Sequence, residues 1–282
     1  MFSFVFLPGI LLAGNKKMDL SEALKNNTIK LEAINFKGLY QGKTTRLSIT
    51  NNTKSAVEIK VDLGTILKPE EPGYQPMVLA GEEILVVLPH ATGQMEVQTF
   101  CGDAPGSCPK TDLHYSFSHV ANDTFVKVLQ FINTNKLFDY LGQDAVWVMT
   151  NGHNLNSVYD PERVELSKKF IELIVAVTGR PRPEYYTSNA TAQVPNEPAY
   201  VPKVLKIYAQ FEIILQAPKT MTLGIFDQEG NMAQPVFENK EFGISGHRFD
   251  VEFEASNVPA GKYYIRLKEG ETVLQEKMVV VE

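Results

Sequence analysis

The chain has 282 residues, 44% hydrophobic and 21% charged, which is close to globular averages and argues against both wholesale disorder and an integral membrane protein. At this length two or three domains are expected, each able to bury its own core. The net charge is −6, and the 27 Lys and Arg residues are scattered rather than clustered, which removes the electrostatic footprint of a nucleic-acid binder.

Met1 to Gly14 is an apolar run too short to span a bilayer, and it ends in small residues like the core of a signal peptide. Residues 1–17 are therefore read as a truncated export signal, with Met18 as an alternative start, and the protein is expected to be secreted or cell-surface. From Thr28 to Phe100 apolar residues recur with period two, at Leu47 and Ile49, at Val57, Ile59 and Val61, at Ile84, Val86 and Leu88, and at Met95 and Val97. Turn clusters such as Asn51-Asn52-Thr53-Lys54 and Gly81-Glu82-Glu83 separate these runs. This spacing predicts an immunoglobulin-like β-sandwich over 18–112.

The period then changes to that of helices, and a small helical unit over 113–179 is expected to cap the sandwich. Asp123 caps a first helix carrying Phe125, Val128, Leu129 and Ile132 on one stripe, and a second runs from Phe138 to Thr150 and stops at Asn151-Gly152. In the third, Asp160 is the N-cap, Pro161 the first position, and Gly179 and Pro181 the stop. Residues 180–203 hold five prolines among small polar residues and read as a linker. Alternation returns over 204–282, with turns at Asp227-Gln228-Glu229-Gly230 and Pro259-Ala260-Gly261, which predicts a C-terminal β-sandwich. The fold class is thus mainly β with an α segment.

The runs GIFDQEGNMAQ, NVPAGKYYIRL and EGETVLQEKMVVVE, between Gly224 and Glu282, resemble the C-terminal sorting domain of the type IX secretion system of the Bacteroidetes. Asp227, Gly230, Gly261, Tyr263, Arg266 and Lys277 occupy that family's motif positions. The resemblance implies export and an encounter with secretion machinery. The chain ends in Glu282 where the family usually has a basic residue. Within the strand itself, Tyr263, Ile265 and Leu267 are expected inward, with Tyr264, Arg266 and Lys268 facing water.

Cys101 and Cys108 are the two cysteines, and three readings of them stay open. A Cys101–Cys108 disulfide stapling the loop is one. A metal site drawing on Asp103, Cys108, Asp112, His114 and His119 is another, although no known ligand spacing is present. The third follows from Gly142-Gln143-Asp144-Ala145-Val146-Trp147, which resembles the T-Q-x-A-I-W motif of thioester domains of bacterial surface adhesins, with Gly142 in place of the family's Thr. That resemblance implies a bond between Cys101 and Gln143, shielded by Trp147 on the same helix face, and it excludes the disulfide. No G-x-S-x-G, H-E-x-x-H or phosphate-loop pattern occurs. The expected function is a non-enzymatic binding or structural protein for a protein or carbohydrate ligand, without a cofactor. The alternatives are a covalent adhesin and a hydrolase whose site lies at the sandwich-to-helix junction.

Overall fold

A computed structural model describes residues 16–191 and 194–281; the apolar segment over 1–14 lies outside them. The chain opens with β1 (Lys16–Asp19), α1 (Leu20–Lys25), β2 (Ile29–Asn35), β3 (Gly42–Asn51), β4 (Val57–Val61) and β5 (Thr65–Pro69). β6 (Met77–Leu79), β7 (Glu83–Val87), β8 (Thr92–Cys101) and β9 (Leu113–Val120) follow. Lys16 and Lys17, read as the end of an export signal, pair in parallel with Val57 and Glu58 of β4, and Met18 is buried.

The fold is mainly β with a small helical segment, as the alternation implied. The strands of the first unit are nevertheless not two open sheets. β2, β3, β8, β6, β5 and β9 close into a six-stranded barrel, and β1, β4 and β7 form a separate three-stranded sheet. Closure follows from β9, which pairs with β2 on one side and β5 on the other and so leaves neither edge open. One phase is inverted. Ile84, Val86 and Leu88 face solvent while Val87 is buried, because the unbroken apolar run Ile84 to Leu88 carries no alternation that would fix which side faces the core.

The helices are α2 (Asp123–Asn135), α3 (Tyr140–Asn151) and α4 (Val164–Thr178). Asn122, rather than Asp123, caps α2 by accepting the Phe125 N–H at 2.9 Å. Asp160 precedes α4 instead of capping it. It accepts the Glu162 N–H at 2.8 Å, its own N–H goes to Ser167 Oγ at 2.9 Å, and the helix starts only at Val164. Gly152 and Gly179 end their helices in the left-handed conformation. Val78, Ala80 and Phe100 of the barrel share one apolar cluster with all three helices, so the helical unit and the barrel bury a common core.

The stretch read as a linker contains β10 (Tyr186–Thr191) and the start of β11 (Tyr200–Ile214). β12 (Lys219–Phe226), β13 (Met232–Phe242), β14 (Gly246–Glu254), β15 (Gly261–Glu269) and β16 (Thr272–Val281) complete the chain. Two sheets result, ordered β10-β11-β14 and β13-β12-β15-β16, around a third core that includes Phe211, Leu223, Phe253, Ile265 and Val279. Among the described residues, the prolines inside strands are Pro69 at the end of β5, Pro202 near the start of β11 and Pro235 in the edge strand β13, where a missing N–H is tolerated. No helix among the described residues is long and apolar enough to cross a membrane.

Candidate functional site

Cys101 is the last residue of β8, and its neighbour Gly102 donates its N–H to Pro76 O at 2.8 Å on the β6 side. The peptide groups of Cys101 therefore face the other way, beyond the point where β3 begins with Gly42 opposite Thr99. No strand reaches them. Gln143 on α3 does: its Oε1 accepts the Cys101 N–H at 3.1 Å and its Nε2 donates to Cys101 O at 2.8 Å. Cys101 and Gln143 are both buried, at 0% and 1% exposure.

Gly142 makes that approach possible. A Cβ there would lie 2.0 Å from Leu137 O and 2.8 Å from the Phe100 ring, so glycine is the residue that lets α3 press against the end of β8. Gln143, Trp147 and Asn151 follow one another at intervals of four and share a helix face. Asn151 Oδ1 accepts the Ala104 N–H at 3.0 Å, and its Nδ2 donates to Asp103 Oδ1 at 2.9 Å. Between them, Trp147 is fully buried in the barrel's own core, with ring centroids 6.3 Å from Tyr40 and 5.6 Å from Tyr200. The Trp147 Nε1–H is a buried donor with no acceptor among the described residues.

The Cys101 to Cys108 loop is also braced from the opposite side. Gln75 donates to Gly106 O at 2.7 Å and accepts the Asp103 N–H at 3.3 Å. Both cysteines are buried and carry free thiols, so the expected disulfide is not formed; the loop between them is held by side-chain hydrogen bonds. Burial pushes the Cys101 thiol well above its ordinary range, with Cys108 and Asp103 adding to the effect. Burial likewise pushes Cys108 up to about 11.

The other sequence candidates are dispersed. Among the described residues no group of three or more His, Cys, Asp or Glu side chains is placed to hold a metal ion; Asp103 is engaged by Asn151, and His119 contacts Ser118 on the surface. Ser245 and His247 also meet at 3.0 Å, but they are exposed, and the ring nitrogen facing Ser245 also contacts Gly243 O at 2.9 Å. At the junction of the helical unit with the C-terminal module, His153 lines a cavity of about 280 Å³ together with Ser157 and Tyr200. The aromatic pair Tyr185 and Tyr186 packs locally: Tyr186 stacks on Tyr159 at 4.4 Å, and the Tyr185 hydroxyl accepts the Val280 N–H at 3.4 Å.

In the C-terminal module, Asp227 closes its turn by accepting the Asn231 N–H at 2.8 Å, with Gly230 in the left-handed region. The hydrogen bond from Asn231 holds the Asp227 carboxyl below its usual range. Gly261 opens β15, and the Tyr263 hydroxyl donates to Pro259 O at 3.0 Å, tying the strand to the turn before it. Tyr263, Ile265 and Leu267 are buried. Arg266 lies over Tyr264 and pairs with Glu276 at 2.6 Å, and Lys277 sits above the Phe211 ring at 5.5 Å.

Two residues that complete these contacts were not singled out in the sequence. Asn151 read only as a helix stop and Gly142 only as a departure from a motif; their signal was the four-residue spacing from Trp147 and the glycine inside a helix.

No protein-family model matches the chain, and no curated protein matches it. Among solved structures, a β-glucosidase from Kluyveromyces marxianus aligns over 84% of this chain and 44% of its own, at 9% identity and a TM-score of 0.22. A likeness of that size carries no argument about fold or activity.

Proposed function

We propose that this chain is an exported, non-enzymatic surface protein that binds a protein or carbohydrate partner, and that its N-terminal unit captures amine-bearing groups through an internal thioester between Cys101 and Gln143. The observation that carries this reading is the double hydrogen bond holding the buried Gln143 carboxamide against the buried Cys101. Such fixation replaces a bimolecular encounter with an intramolecular one. The Cys101 N–H already points at Oε1, the atom on which charge develops when sulfur attacks the carbonyl carbon. In that step the Cys101 Sγ–Cδ bond forms, the Cδ–Nε2 bond breaks, and the thiol proton leaves with the nitrogen as ammonia. A partner's amine then forms an amide with Cδ, and its proton passes to the released Cys101 sulfur. Burial of Trp147 and Tyr40 beside the pair excludes the water that would hydrolyse the bond. The likeness of the C-terminal module to a secretion sorting domain supports export.

Intact-mass measurement of protein purified without reductant, with peptide mapping, tests the proposal. Loss of one ammonia, reversed by methylamine and absent in Cys101→Ala, is the expected result. Loss of two hydrogens with Cys101 and Cys108 in one cross-linked peptide, or no loss at all, sinks covalent capture and leaves a binding protein held together by non-covalent contacts.

A further inference from the structure

The helix that carries Gln143 also presents a second polar group, directed away from Cys101. Tyr140 and Asp144, one turn apart on α3, line a cavity of about 270 Å³ whose other walls include Tyr159, Tyr208, Ser157 and Thr187. The cavity lies between α3, the segment leading to α4, and the β10-β11 pair of the C-terminal module. Asp144 is 8% exposed, and among the described residues no hydrogen bond or ion pair reaches its carboxyl. Burial pushes that carboxyl well above the carboxylate range, and the nearby Asp139 adds to the effect. A buried acid without a partner is costly to keep.

Neighbouring charge does not relieve it. Arg163 is already shared by Asp139 at 2.8 Å and Asp160 at 2.5 Å. The aromatic walls are rigid: Tyr159 is stacked on Tyr186 with an interplanar angle of 7° and meets Tyr208 at 5.3 Å and 45°. Two tyrosine faces meeting at an angle, with a single uncompensated acid between them and Tyr140, match the recognition chemistry of an organic cation. A neutral polyol would leave the acid without a counter-charge.

We infer that this cavity binds a small organic ammonium ion, with Asp144 as counter-ion and Tyr159 and Tyr208 as the aromatic faces beside the charge. The site is separate from the Cys101–Gln143 pair, and a quaternary ammonium has no N–H to acylate, so its binding is read independently of any thioester.

The experiment is calorimetric titration of the full chain with choline chloride, with glucose as a neutral probe and sodium chloride as the ionic-strength control. Saturable choline binding is expected, weakened about tenfold or more in Asp144→Asn and several-fold in Tyr208→Leu, with glucose and sodium chloride silent. The melting curve of each variant establishes that it is folded, and Tyr208→Leu keeps the test decisive should Asp144→Asn fail to fold. Absence of choline binding, choline binding of equal strength in both variants, or binding of glucose in place of choline overturns the assignment.

Discussion

The carboxamide of Gln143 engages both backbone polar groups of Cys101, so a helix side chain fills the ladder position that a longer β3 would otherwise take. Gln143→Leu leaves an N–H and a C=O of Cys101 unpaired in the core. The expected loss is about 2–4 kcal/mol, from two orphaned groups, and urea denaturation measures it. Gln143→Glu keeps the acceptor but buries a carboxylate oxygen against Cys101 O, so its midpoint at pH 8 should fall at least as far as that of Gln143→Leu.

Gly142→Ala places a methyl group against Leu137 O and the Phe100 ring. The backbone oxygen cannot move aside as a flexible side chain would, so the cost belongs at the upper end of the ~1–3 kcal/mol of overpacked sites. The turn at Leu137 that leads into α3 must open and the helix must shift from Phe100 to accommodate it. Loss of the Gln143 contacts should then accompany the drop in melting temperature, read as faster amide hydrogen exchange at Cys101.

Asp144 gives stability a defined pH dependence. Its carboxyl is held above the ordinary range by burial and Asp139, so the folded state binds this proton more tightly than the unfolded chain does. That contribution is fully present below the ordinary carboxylate pKa and is lost as pH rises through the folded value. Tyr140, Tyr159, Tyr208 and Ser157 line the cavity with it, and Arg163 is held by Asp139 and Asp160. Asp144→Asn should therefore melt higher than the parent at pH 7 to 8, on the order of 1–3 kcal/mol, and equally at pH 3. A higher melting temperature for the parent at pH 8 would contradict this.

Thiol labelling provides a fourth check. Both cysteines are buried, and burial disfavours the reactive thiolate, with Cys108 pushed up to about 11 and Cys101 also raised. Iodoacetamide at pH 8 should label native protein slowly and urea-unfolded protein rapidly. Rapid labelling of Cys101 in the native state would mean that the barrel end opens readily.

Much of this organisation was legible in the chain. Period-two runs marked β3, β4, β7 and β8 as strands, whereas β9 lay inside the stretch read as helical, and Gly152 and Gly179 fixed two helix ends because their backbone conformation suits glycine. Barrel closure was not legible, since alternation marks a buried face without naming the strand beyond it. The inverted phase of Ile84, Val86 and Leu88 had the same origin, an apolar run with no polar residue to set its register. The proline-rich stretch concealed β10 because Tyr186 to Thr191 takes its order from pairing with β11 rather than from its own pattern. At the site, Gln143 and Trp147 stood out by the resemblance of their segment to the thioester motif, whereas Asn151 and Gly142 gain their roles only when α3 meets the end of β8.

The segment 194–199 crosses the barrel surface between β10 and β11 and is fastened there. Cys108 donates its N–H to Glu197 O at 2.7 Å, the Tyr74 hydroxyl donates to Asn196 Oδ1 at 2.6 Å, and Ala199 is buried in the barrel core. Tension applied at the C-terminus, as on a protein tethered at one end and pulled at the other, travels back along β11 and meets these contacts before it reaches α4. They would act as a mechanical fuse, yielding one after another and lengthening the molecule while the barrel and the pair at its end stay closed.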